Sequence, residues 1–394
     1  MMPWCHARSQ GRPARARKDR RGRYRVLAHL LLVFGLSCSL LGCGEASLTP
    51  DAPTPTRTLP PTRPATPLLS PTLLPTPCPT PTPDPVAFLQ EIAANELGQV
   101  MVLQYHLIEE PEDRWSRTPA QFRADIERLI AEGYYPINLI DLASGQIDVP
   151  AGKTPVVLTF DDSSSGQFRL LPDGQVDPAC AVGILLDLAE RFPDRWRLRA
   201  TFFVLLDVDV PDRVLFGQPE WAEEKLRRLV AWGMEIGSHT ISHFDLGAGQ
   251  PDQVRWQLAV SENTLEALVP GYEVQSLSVP FGSYPADLDL LRSGEWEGQQ
   301  YDYAAIVKVG AEPAPSPFSS LFDPYYIPRI QGIPSELDLW FGYFQQHPER
   351  RFVSDGDPRT IAFPEGLDPS VYGELRSGLP EGLVVRSYPP APVP

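Results

Sequence analysis

From residue 98 to residue 346, apolar runs of strand length alternate with segments of helical period. The stretches 98–106 (GQVMVLQYH), 155–162 (PVVLTFDD), 199–206 (RATFFVLL), 234–239 (MEIGSH), 274–282 (VQSLSVPFG) and 303–309 (YAAIVKV) are short and strand-like, the first two built around continuous apolar runs. That pattern is expected of strands buried on both faces. Between the first two, Thr118-Pro119 predicts a helix start, a capping hydroxyl followed by proline at the first helical position. Phe122, Ile126, Leu129 and Ile130 supply its apolar face and Gly133 its end. Further helices are predicted near 178–192, 220–232, 251–268 and 334–346. Strands alternating with helices of this length imply parallel units of an α/β fold. About seven such units in roughly 260 residues predict an incomplete or distorted (β/α) barrel. An open doubly wound sheet is the alternative, but no glycine-rich phosphate loop follows any strand to support its nucleotide-binding version.

Composition changes the picture at the two ends. The chain has 394 residues and 45 prolines, many of them packed into residues 44–85, where Pro alternates with Thr and Ala. Such a segment lacks backbone donors, favours extended polyproline conformations and cannot bury a core, so it reads as a linker. Residues 1–43 hold nine Lys/Arg against the single acid Asp19, and the basic stretch precedes an apolar run ending Leu40-Leu41-Gly42-Cys43. This predicts an export signal with Cys43 as a lipidated residue, and hence an extracytoplasmic, membrane-anchored protein. With that segment set aside, the body is strongly acidic, which disfavours nucleic acid and favours a neutral or cationic partner. Cys78 and Cys180 form no disulfide framework, and Cys180 is expected free in or near the core. The expected organisation is a signal over 1–43, a linker over 44–85, a catalytic domain over 86–346, and a loosely packed appendage with one strand over 347–394. Nothing argues for more than a monomer.

Residues able to bind metal or move protons fall at the C-terminal ends of the predicted strands. His106 ends the first, Asp161-Asp162 the second, and His239 the fourth, with His243 close behind. Parallel β/α folds build their active sites on that edge. The i, i+4 spacing of His239 and His243 suits two imidazoles on one side of a helical turn, a common grip on one ion. With a carboxylate from a neighbouring strand end, the set becomes two histidines and an aspartate with open positions, the pattern of a catalytic zinc site. Side chains of adjacent strand residues point oppositely, so one of Asp161 and Asp162 can ligate while the other accepts a proton. His106 suits proton delivery to a leaving amine near pH 7.

TFDD (159–162), HTISH (239–243) and VPFG (279–282), in this order, resemble the successive motifs of the polysaccharide deacetylase family, also called the NodB-homology family or carbohydrate esterase family 4. The resemblance covers about residues 98–345. It implies a barrel of the NodB-homology type and the removal of N-acetyl groups from an acetylated amino-sugar polysaccharide such as poly-N-acetylglucosamine, peptidoglycan or a chitin-like polymer. It also implies Asp161 as catalytic base, and Asp162, His239 and His243 as ligands of one divalent ion, zinc first, with cobalt or nickel as alternatives. Phe281, Gly282 and Tyr284 would lie at the oxyanion and substrate side. Three departures stand out. Ser163 replaces the glycine usual after TFDD, Ser278 replaces the arginine that often orients the base, and no Leu-x-His motif follows residue 300. These gaps resemble the circularly permuted branch of the family, whose Tyr-His at the end of the first strand matches Tyr105-His106 and makes His106 the acid. Arg329, in YYIPRI, is the candidate replacement for the missing partner of Asp161. The competing readings are a glycan-binding lipoprotein without turnover and an esterase acting on O-acetyl groups.

Overall fold

The computed structural model describes residues 84–390. The expected export signal, Cys43, Cys78 and nearly all of the Pro-rich segment lie outside the described residues. Eight parallel strands form the main sheet: β1 (Met101–Tyr105), β2 (Tyr134–Ile137), β3 (Thr154–Phe160), β4 (Thr201–Val204), β5 (Glu235–Ser238), β6 (Ser276–Ser278), β7 (Ala305–Val307) and β8 (Ile330–Gln331). Their order is β7-β6-β5-β4-β3-β1-β8, with β2 paired to β3 off this path. Both β2 and β4 use the same edge of β3, β2 along Thr154–Val157 and β4 at Thr159–Phe160, because β1 occupies the other edge. That shared edge is the distortion in the barrel. A single parallel bridge, Val307 to Ile327, joins β7 to the segment leading into β8 and brings the curled sheet round on itself.

Period-two alternation explains what each strand contributes. Met101, Leu103 and Tyr105 of β1 and Val156, Leu158 and Phe160 of β3 face outward, into the larger apolar cluster shared with the helices. Val102, Val157, Phe203 and Val307 face a second cluster inside and beneath the barrel. The inward positions one step further along carry polar groups, Gln104, Thr159 and Ser278, all buried. The barrel therefore has an apolar lower layer and a polar upper one. Gly237 of β5 lets the interior close up, since a Cβ there would meet the Phe203 ring at 2.6 Å.

The outer helices are α1 (Pro85–Ile92), α2 (Pro119–Ala131), α3 (Leu139–Ser144), α4 (Ala181–Arg191), α5 (Ala222–Ala231), α6 (Pro251–Leu268) and α7 (Pro334–Gln346); α2, α4, α5, α6 and α7 fall where expected, whereas α1, α3 and the short strands β2 and β8 were not predicted. Thr118 caps α2 in a reciprocal box with Gln121, as its sequence suggests. Among the described residues no helix is long and apolar enough to cross a membrane.

Two larger parts also differ from expectation. A two-stranded antiparallel ribbon, Ser293–Trp296 with Gln299–Asp302, lies against α6 where no strand was predicted. The C-terminal segment is not a loose appendage. Thr360–Pro364 and Val384–Tyr388 pair as two parallel strands, and Phe352 and Ile361 are fully buried in the lower cluster. Composition rich in Pro and Gly hid this, because the anchoring residues are few and widely spaced. Cys180 is buried and free, as expected, and its sulfur caps α4.

Candidate functional site

The polar upper layer of the barrel holds Asp161. Its Oδ1 accepts from Arg329 Nη1 at 2.8 Å, and its Oδ2 from Arg329 Nη2 and Gln104 Nε2, each at 2.9 Å. Ser278 Oγ also donates to Oδ2, at 3.1 Å. Arg329 is completely buried and is itself fixed by donating to Thr159 Oγ1 and the Lys308 carbonyl. Burial opposes the ionised form of Asp161, but the charges of Arg329, His239 and His106 outweigh it and hold the carboxyl far below the usual range. The departure at Ser278 thereby becomes intelligible. A short hydroxyl on β6 leaves room for a guanidinium arriving from just before β8, so Arg329 meets Asp161 from another strand.

Asp162 faces the other way, and not for the reason the strand pattern suggests. Both aspartates lie past the end of β3, and Asp162 and Ser163 adopt left-handed backbone, φ 74 and 43. The turn, rather than strand alternation, separates the two carboxylates. His239 and His243 likewise do not share a helical turn. The segment after β5 is an irregular turn with Thr240 at φ 68 and His243 at φ 53, which brings the two rings to 4.9 Å between centroids.

Asp162, His239 and His243 each present one ligand atom, all within 4.8 Å of one another, the one such group among the described residues. Asp162 Oδ1 stands 3.5 Å from His239 Nε2 and 3.4 Å from His243 Nε2, and this buried oxygen has no hydrogen-bond partner. His239 Nδ1 lies 2.8 Å from the Ser278 carbonyl, so Nδ1–H donates there and the Nε2 lone pair is turned toward Asp162. Burial favours the neutral form of His243, and with the charge of His239 it lowers that imidazole to about 4. Burial also works against charge on His239, but Asp161 and Asp162 raise it. An orphaned carboxylate oxygen converging with two imidazole nitrogens fits a divalent cation.

His106 sits just past β1, its Nε2 4.0 Å from Asp161 Oδ2 and its ring edge-on to Trp115 at 4.8 Å. Burial pushes its imidazole below the ordinary value, partly offset by Asp161 and Asp162. On the opposite side Phe281 is 68% exposed, with its ring 4.3 Å from His243. Phe281 and Gly282 both have positive φ, 59 and 62. The Tyr284 hydroxyl is buried without a partner, its phenol pushed up by burial and by Tyr326. The structure thus brings together Asp161, Asp162, His106, His239, His243 and Arg329, with Phe281 beside His243; Tyr284 packs against Tyr326, and Cys43 lies outside the described residues.

Sequence matching agrees on the central part of the site. The profile of the polysaccharide deacetylase family matches residues 148–294. This stretch is similar to the polysaccharide deacetylases. The family comprises hydrolases acting on carbon–nitrogen bonds. The chain is 27% identical over 138 residues to a chitooligosaccharide deacetylase of Bradyrhizobium sp. (strain ANU 289), covering 35% of this chain and 51% of that one. It is 28% identical over 137 residues to the chitooligosaccharide deacetylase of Sinorhizobium fredii (strain NBRC 101917 / NGR234), with the same coverage. The chain therefore spans about half the length of these relatives. Among solved structures, Streptococcus pyogenes deacetylase PplD in complex with acetate superposes with a TM-score of 0.45 at 20% identity, over 62% of this chain and 97% of that one. The matched stretch includes Asp161, Asp162, His239, His243 and Phe281, but His106 precedes it and Arg329 follows it.

Four contributors were missed in the sequence. Gln104 and Thr159 were legible in principle, as polar residues at inward positions of otherwise apolar strands. Gln167 donates its amide to the main-chain carbonyls of both His106 and Asp161, tying two strand ends together. Arg213 lies 3.1 Å from Asp162 Oδ2. Neither Gln167 nor Arg213 carries a local signal, since both sit in irregular loops.

Proposed function

We propose that the protein removes N-acetyl groups from an acetylated amino-sugar polymer in a reaction that depends on a divalent cation, zinc first. One observation carries this reading: a carboxylate and two imidazoles converge on one point, with a second carboxylate, paired to a buried arginine, and a further imidazole beside them. The family match and the chitooligosaccharide deacetylases it resembles support the acetylated amino sugar as substrate.

A cation held by Asp162, His239 and His243 would supply Lewis acidity toward a water and the acetyl carbonyl. Asp161 is pinned by Arg329, Gln104 and Ser278, so it meets the water in one orientation and in its ionised form. Water oxygen adds to the carbonyl carbon as its proton passes to Asp161. Main-chain donors around Phe281 would stabilise the developing oxyanion. His106 is depressed toward its neutral form and lies 4.0 Å from Asp161 Oδ2. It relays that proton to the sugar nitrogen as the carbon–nitrogen bond breaks, leaving acetate and a free amine. We further propose that the chain is lipid-anchored at Cys43 outside the cytoplasm, its domain lifted on the Pro-rich linker, as a monomer.

Acetate release from N-acetylglucosamine oligomers, before and after chelator treatment, tests the reading. Turnover that chelator abolishes and zinc restores is expected. Release from O-acetylated xylan alone would assign the site to ester hydrolysis, and binding without release from any substrate would assign it to a glycan-binding module. Loss of fatty-acid labelling on Cys43→Ala in cells checks the anchor.

A further inference from the structure

We propose that Arg213 is a positioning residue for Asp162, held there by the Ser163 hydroxyl, and that the pair confines Asp162 to ligation through a single oxygen. The inference rests on the reading of Asp162, His239 and His243 as cation ligands. The two oxygens of Asp162 have different surroundings. Oδ1 faces His239 and His243 without a hydrogen bond, while Oδ2 is taken by Arg213 Nη1 at 3.1 Å. A free carboxylate can grip an ion with both oxygens or rotate between them. One whose far oxygen is engaged by a guanidinium presents the near one alone, aimed at the histidines.

Arg213 ends a short turn, Pro211–Arg213, in the loop between β4 and α5. A loop would not by itself hold a guanidinium in register, and here it is tied down at several points. Ser163 Oγ donates to the Arg213 carbonyl at 2.7 Å and accepts from Leu205 N–H at 3.0 Å. The Ser163 carbonyl accepts from Phe216 N–H at 2.9 Å, and Ser165 N–H donates to the Asp212 carbonyl at 3.1 Å. Lys225, completely buried, donates its ammonium to the Phe216 carbonyl at 2.9 Å. Ser163 is the position where the family resemblance expects glycine, and its φ of 43 would suit one. The serine accepts a left-handed backbone and supplies the hydroxyl that fastens the arginine's own main chain. The departure and the arginine are thus two ends of one device.

The test is zinc affinity, read on the full chain stripped by chelator and titrated with Zn²⁺ in competition with a chromogenic chelator. Arg213→Met is expected to bind Zn²⁺ about 10- to 100-fold more weakly, the usual effect of losing an outer-shell partner. Arg213→Lys keeps the charge without the fork and should recover part of the loss. Ser163→Ala should weaken binding in the same direction, and adding it to Arg213→Met should change nothing more. Melting of the stripped variants separates this from misfolding, and Arg213→Lys with Ser163→Ala carries the comparison if Arg213→Met melts early. Unchanged or tighter Zn²⁺ binding in Arg213→Met overturns the proposal while leaving the cation site intact. Additive losses in the double variant overturn the part given to Ser163. A parent chain that takes up no Zn²⁺ overturns the ligand reading itself.

Discussion

Asp161 shows how far neighbours decide what a side chain can do. As an aspartate at a strand end it could be a ligand, a base or a helix cap. What distinguishes it is the buried guanidinium of Arg329, bound to both of its oxygens. Removing one partner of a buried pair leaves an uncompensated charge, at a cost of about 3–5 kcal/mol. Arg329→Met is therefore expected to lower the melting temperature and to raise the Asp161 pKa. Because the base works ionised, the acid limb of kcat/KM should move to higher pH in that variant, which a pH–rate profile reads directly. Arg329→Lys should restore part of the rate, since it keeps charge but not the paired fork. His106→Ala and Asp161→Asn should each lower kcat by roughly 10² to 10⁴ while zinc affinity stays near that of the parent. Parallel kinetics and metal titration check both halves of that expectation.

At the scale of elements, most boundaries were legible because strand and helix signals here are strong and do not compete. The Thr118-Pro119 start, the apolar face of α2 and the run before Asp161 each point to one local answer, and each formed as read. Thr118→Ala should cost about 1 kcal/mol through the lost cap without altering kcat, as denaturant melts and turnover would report. The turns were not legible. HTISH has helical spacing, yet it folds with two residues in left-handed conformation, because the turn must leave β5 and point both rings back over the barrel mouth. Spacing limits how far apart two side chains lie, and the backbone between them decides which way they face. Of the two C-terminal strands only one was expected, for another reason. Val384 and Val385 are exposed, so no half-buried alternation marks the strand they belong to. Chains ending after residue 350 should lose the cover over the lower cluster and melt well below the full chain, which calorimetry would show.

The whole molecule joins two ends with opposite demands. The upper end keeps charged groups buried and paired for chemistry, and the lower end is sealed by α3 and the C-terminal strands. Glu96 belongs to that seal, accepting from the Asp355 and Ala362 N–H groups. Burial, reinforced by Asp355, raises it to about 8. A carboxyl whose folded value exceeds its unfolded one contributes stability that is complete below the unfolded value and disappears as pH rises through the folded one. Stability from this group should thus decline from about pH 4.5 to about pH 8. Glu96→Gln should flatten that part of the melting-temperature profile relative to the parent. Zinc should act at the other end. Saturation at about 100 times its dissociation constant should stabilise by about 2.7 kcal/mol, and chelator should reverse it.

Most of the strands and helices, the strand-end placement of the candidate chemistry and the choice of Asp161, Asp162, His106, His239 and His243 were legible in the sequence alone, whereas β2, β8, α1 and α3 were not. The legible features depend on local periodicity and on residue type, both written along the chain. The pairing of Asp161 with Arg329, the single free oxygen of Asp162, the reach of Arg213 and the burial of the C-terminal strands were decided by tertiary structure. Each joins residues from separate segments, 168 positions apart for Asp161 and Arg329, and turns that depart from regular geometry set the directions in which they meet.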